Sequence, residues 1–134
     1  MIGSKIFAEQ YILAEMFADL VESYTSLSVD LKIGLGGTNI CFEALRRGEI
    51  DLYPEYTGTG FLAILDVPSD VRSALVGDAE RVYDYVRREF DVRFGLAWLA
   101  PLGFDNRYAV VVTNETAERL GVTTTSELVE RFRR

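Results

Sequence analysis

Apolar and polar positions along this chain alternate between the two-residue period of strands and the 3.6-residue period of helices. Ile2 to Phe7 reads as a short buried strand. Behind it Ile12, Leu13, Met16, Phe17, Leu20 and Val21 recur at the spacing of one helical face, which predicts a helix with that face turned inward. Val29 to Leu35 alternates as a second strand, and the loop Gly36-Gly37-Thr38-Asn39 offers cap side chains to a helix from about Ile40 to Arg47, ended by Gly48. Ile50 to Tyr53 predicts a third strand stopped by Pro54, after which Phe61, Leu62, Ile64 and Leu65 mark a helix starting near Thr57 to Thr59. Val67 to Gly77 reads as a loop with one helical turn, and Asp78 caps a helix to about Phe90 with Val82, Val86 and Phe90 inward. Phe94 to Leu99 and Tyr108 to Thr113 read as the remaining strands, and Asn114 to Leu120 and Ser126 to Arg133 as two short closing helices. Strands alternating with helices predict an α/β fold: a mainly parallel sheet with helices on both faces and ligands at the carboxyl ends of its strands.

Composition narrows what such a fold does. At 134 residues and 49% hydrophobic content the chain is long enough to bury a core. Fourteen basic against twenty-one acidic residues give a net charge of −7, which repels a phosphate backbone and argues against nucleic acid as a partner. There is no histidine and one cysteine, Cys41, so histidine triads, cysteine–histidine dyads and the usual zinc spacings are absent; neither a metal nor a cofactor is expected. No apolar run approaches the roughly 20 residues of a membrane span. The start, MIGSKIF, lacks the basic region and long apolar core of a secretory signal, so a soluble chain is expected.

On this layout Ser4 to Gln10, Gly36 to Asn39 and Pro54 to Gly60 leave the carboxyl ends of strands toward one rim, and Pro101 to Arg107 leaves the later strand. These loops hold the candidate ligand residues Ser4, Lys5, Gln10, Thr38, Tyr56, Thr57, Thr59, Phe104 and Asn106. Thr57-Gly58-Thr59 opens a helix whose free N–H groups suit an anion such as a carboxylate, and the ring of the adjacent Tyr56 suits a cation. The same residues also read as strand-end packing and helix caps. GLGGTN lacks the third glycine and the lysine of nucleotide loops and reads as a turn with an N-cap. Cys41, beside Ile40 and Phe42 in a helix, reads as a buried small hydrophobe, and Trp98 as core. Glu9, Glu55 and Asp105 are the acids available for acid–base chemistry, but spacing alone brings no two of them together.

The ordered series IGSK, EQYILAEM, LGGTNICFEALRRGEIDLYPEYTGTG and WLAPLGFDNRYAVVV closely resembles the substrate-binding proteins of ABC importers for glycine betaine, choline, carnitine and related quaternary amines, over essentially the whole chain. The resemblance implies a type II periplasmic-binding-protein-like lobe, an aromatic box around the trimethylammonium group, an ABC permease as partner and a place outside the cytoplasmic membrane. It assigns Tyr56 to the box, Thr59 and Gln10 to polar contacts with the ligand, and Phe104 to an aromatic position without a hydroxyl. Members are considerably longer. The chain is therefore expected to be a ligand-binding lobe over residues 1–107 followed by a crossover strand and the start of a second lobe over 108–134, truncated there, with an exposed end through which copies could associate. Two other roles stay open: an assembly or sensing module with vestigial ligand binding, and a small α/β enzyme using Glu or Asp chemistry on a carboxylate substrate.

Overall fold

The computed structural model describes residues 1–106 and 109–133. They form two compact units, Met1–Leu99 and Ala100–Arg134.

In the first unit β1 (Ile2–Lys5) pairs in parallel with β2 (Leu31–Gly36), joined by α1 (Ala8–Tyr24). The predicted third strand, Ile50 to Tyr53, shrinks to one parallel bridge between Ile2 and Leu52, in which the Gly3 N–H donates to the Leu52 carbonyl at 2.9 Å. β1 thus lies between β2 and the residues around Leu52, so the chain leaves all three elements in one direction. Ile2 packs toward α1, while the Cβ position of Gly3 lies 2.7 Å from Ile50 Cδ1, a gap that suits glycine. The ladder shifts between Gly3 and Lys5, because Gly3 faces Lys32 but Lys5 faces Gly36. Gly34, at φ 72°, turns the bulge this requires, and its N–H is satisfied by the Ser4 hydroxyl at 2.9 Å.

The helix α1 forms where its periodicity places it but buries another face. Ile12, Met16 and Leu20 are more than half exposed, whereas Gln10, Ala14 and Ala18 are buried. Close packing of the helix axis on a sheet selects small side chains at the contact, and the bulky apolar residues are left beside it or outside it. α2 (Thr38–Arg46) follows β2, and the short α3 (Thr57–Thr59) runs directly into a π-helical turn, Gly60–Ile64. α4 (Ser69–Leu75) is longer than the single turn expected, and α5 (Ala79–Phe94) continues past Phe90 until Gly95, at φ 66°, ends it. Asp78 caps α5 by accepting the Arg81 N–H at 3.1 Å. The main core gathers Phe42, Phe61, Leu65, Val82, Val86 and Phe90, with Trp98 packed edge-on against Phe90. The predicted strand Phe94 to Leu99 does not form: Phe94 belongs to α5, and 95–99 is irregular, with Leu96 and Trp98 packed against this core rather than in a ladder.

The second unit contains α6 (Asn114–Leu120) and α7 (Thr125–Phe132), capped by Thr113 and Thr124, with Val122 buried. Of the strand expected over Tyr108 to Thr113, Tyr108 lies outside the described residues, and 109–113 has no ladder partner among the described residues and forms no strand there. Val110 and Val111 are 66% and 85% exposed: the β-forming composition is present, but a strand needs a neighbour to bond.

Candidate ligand-binding site

Three chain segments leaving the carboxyl ends of β1, β2 and the Leu52 bridge meet around one side chain, Lys5. Its ammonium pairs with the Glu55 carboxylate, donates to Thr38 Oγ1 at 3.4 Å, and lies 4.7 Å from the centre of the Tyr56 ring. The pair is buried, with side-chain exposures of 4% for Lys5 and 5% for Glu55. Glu55 Oε1 also accepts the Tyr56 N–H at 2.8 Å, which ties the backbone at Tyr56 to the same carboxylate. The enclosed charges show in their neighbours: burial first, and then the negative charge of Glu55, pushes the Tyr53 hydroxyl far above the usual phenol range. Burial likewise raises Cys41, a shift the Lys5 ammonium opposes. Cys41 is fully buried in α2 and is a packing residue.

A second set of bonds fixes Tyr56 from the other side. Its hydroxyl donates to Glu9 Oε1 and accepts from Gln10 Nε2 at 3.4 Å. Gln10 is fully buried on the first turn of α1, and its Oε1 accepts the Lys5 N–H at 3.4 Å. Phe7, the residue before α1, brings its ring to 6.3 Å from that of Tyr56 with the planes 14° apart. The Lys5 ammonium is 5.8 Å from the Phe7 ring as well. The arrangement is a near-parallel aromatic pair with a cation beside it, neutralised by one buried carboxylate. Chemically its ring faces suit a cation.

Of the residues expected at the rim, Lys5, Gln10, Thr38 and Tyr56 are brought into one cluster, with Thr57 and Thr59 on the helical turn that follows. Tyr56, Thr57 and Thr59 stay partly exposed, so none of them is core. Ser4 is different: it is fully buried, and its hydroxyl is used by the β2 bulge, which makes it part of the sheet rather than of an open cleft. Lys5 and Gln10 are also enclosed, and both act on Tyr56 rather than on solvent. Phe104, 53% exposed, and Asn106 belong to the second unit. Phe7, Glu9 and Glu55 were not among the expected ligand residues. The local signal for Phe7 was present, a large aromatic at a helix start where a capping side chain is usual, but its pairing with Tyr56 spans 49 positions and only the sheet makes it.

The family described as the substrate binding domain of ABC-type glycine betaine transport systems matches residues 1–132. The ergothioneine transport permease/ergothioneine binding protein EgtU of Helicobacter pylori is 31% identical over 96% of this chain and 22% of its own length. The glycine betaine-binding protein YehZ of Escherichia coli is 31% identical over 95% of this chain and 40% of its own. The structure of apo YehZ superposes with a TM-score of 0.69 at 29% identity, covering 96% of this chain and 44% of that one. The chain thus spans less than half the length of these relatives, and its fold is that of a type II periplasmic-binding-protein lobe. The family is one of binding domains rather than enzymes, and the chain belongs to it: the substrate-binding domains of ABC-type glycine betaine transport systems.

Proposed function

We propose that this chain is a ligand-binding lobe for quaternary ammonium solutes of the glycine betaine, choline and carnitine type, working outside the cytoplasmic membrane and delivering its ligand to an ABC permease. Residues 1–107 form the lobe in this reading, and 108–134 lead toward a second one. The observation that carries the proposal is Tyr56: its ring attracts the Lys5 ammonium, while Thr59 lies beside it on the same half-exposed turn. Glycine betaine and ergothioneine, named for the relatives above, each carry a trimethylammonium group next to a carboxylate. A ring face suits the first group, and the hydroxyls of Thr57 and Thr59 suit the second. One lobe leaves one side of the ligand in water, so each cation–π contact falls toward the low end of its range, about 0.5–1 kcal/mol, and affinity is weak.

The test is a titration of the isotope-labelled chain with glycine betaine and with choline to high millimolar concentration, followed by amide shifts. Saturable shifts around Tyr56, Thr59 and Gln10 are expected. Tyr56→Ala should abolish them, and Tyr56→Phe, which keeps the ring, should retain them in part. A folded sample that shows no shift with either ligand overturns the reading.

A further inference from the structure

Glu9 sits in the first turn of α1, where an acid favours the helix dipole whatever its side chain meets. Here the side chain meets something particular. Its Oε1 accepts the hydroxyl of Tyr56, 47 positions away, a contact that the dipole does not require. Neighbouring bonds fix the direction of this hydrogen bond. The Lys5 N–H donates to Gln10 Oε1 at 3.4 Å, so the amide of Gln10 turns its NH2 group, a donor only, to Tyr56 at 3.4 Å. The phenol oxygen accepts there, and its one proton goes to Glu9. The run from Lys5 through Gln10 and Tyr56 to Glu9 thus has a single polarity and ends on a carboxylate.

A phenol that donates to a carboxylate makes a charge-assisted bond, and electron density moves from its O–H bond into the oxygen and the ring. The ring face becomes more negative, and it is the face that a cation meets. The Lys5 ammonium, 4.7 Å from the ring centre, already rests against this ring. The proton held by Glu9 is also withdrawn from any ligand carboxylate, so Tyr56 contributes its ring and not a hydrogen-bond donor.

We propose that Glu9 is a positioning residue that acts through the Tyr56 hydroxyl: it holds the ring in place and strengthens its attraction for a quaternary ammonium. The inference rests on the ligand reading above and gives a role in it to a residue that does not itself touch the ligand.

The experiment is a double-variant cycle on the full chain: choline titrations followed by amide shifts in wild type, Glu9→Gln, Tyr56→Phe and the double variant. Glutamine keeps the size and an acceptor oxygen but removes the charge. Glu9→Gln should weaken choline about twofold, roughly half of an exposed cation–π contact, and should change binding by less than about 1.3-fold once the hydroxyl is gone in Tyr56→Phe. A second readout needs no ligand. The Cζ carbon resonance of Tyr56, identified by its loss in Tyr56→Phe, should move toward the free-phenol position in Glu9→Gln, a change that a helix-dipole role would not cause. Matching amide spectra away from the site establish that the variants are folded. Unchanged choline binding in Glu9→Gln or an unmoved Cζ resonance overturns the inference. So does an equal loss with and without the hydroxyl, which makes the Glu9 charge act on the ligand directly. The two failures are separable: if wild type binds neither choline nor glycine betaine, the ligand reading falls and this inference with it; if wild type binds and the cycle shows no coupling, the inference alone falls.

Discussion

Replacing Lys5 by methionine tests whether the buried pair at the centre of the site holds the lobe together. The substitution keeps the stem volume and removes the ammonium. At the surface such a loss would cost about 0–1 kcal/mol, since water replaces the partner. Here the partners are 4% and 5% exposed, so water cannot solvate the Glu55 carboxylate left behind. Its Oε2 already has no hydrogen-bond partner among the described residues. Breaking a buried pair by removing one member typically costs about 3–5 kcal/mol. The lower half of that range is expected, because Glu55 retains the bond from the Tyr56 N–H. With a urea slope of about 1.5 kcal/mol/M, a loss of about 3 kcal/mol moves the midpoint down by about 2 M. Adding Glu55→Gln removes the orphan charge, and the double variant should recover to within about 1–2 kcal/mol of wild type, a strong coupling between the two sites. Unfolding followed by the single tryptophan, Trp98, and by helical circular dichroism gives the four midpoints of the cycle. A loss under about 1 kcal/mol for Lys5→Met, or two single effects that simply add, would refute the claim that this pair is enclosed and interdependent.

Two further outcomes follow from particular contacts. In Gly60→Ala the new methyl would sit 2.8 Å from Trp98 Cζ2 and 3.2 Å from Val86 Cγ1, so overpacking of about 1–3 kcal/mol should outweigh alanine's helical preference; a variant as stable as wild type, with unchanged tryptophan emission, contradicts it. Glu127 accepts the Thr123 N–H at 2.6 Å and the Thr124 N–H at 3.0 Å, and these bonds hold its carboxyl below the usual range. Its folded value lies below the unfolded one of about 4.3, so its support of the α7 start is present above that pH and lost as pH falls through the depressed value; a carboxyl titration in which Glu127 protonates at or above about 4.3 rules this out.

The elements that the pattern alone placed are those whose signals are local. β1, β2, α1, α2, α5, α6 and α7 follow apolar periodicity, caps such as Asp78 and stops such as Gly95, and they lie within a few residues of the predicted bounds. The alternation of strand and helix was enough for the α/β class, and DLYPEYTGTG was legible as a turn leading into a helix. The rest depended on partners. Residues 95–99 and 109–113 have strand composition, but hydrogen-bonded ladders join two segments, and neither finds one among the described residues. The inward face of α1 was settled by the approach of the helix to the sheet, which favoured Ala14 and Ala18 over Ile12 and Met16. Ser4 and Gln10 look like rim residues in the sequence and are buried, because the β2 bulge and the Tyr56 hydroxyl need their polar atoms. The pairing of Phe7 with Tyr56, and of Lys5 with Glu55, joins residues 49 and 50 positions apart. Residue identity determined which aromatic, charged and amide groups were available; the parallel register of β1 between its two neighbours decided which of them cluster, because side-chain contacts at such separations exist only once the sheet has brought the strand ends together.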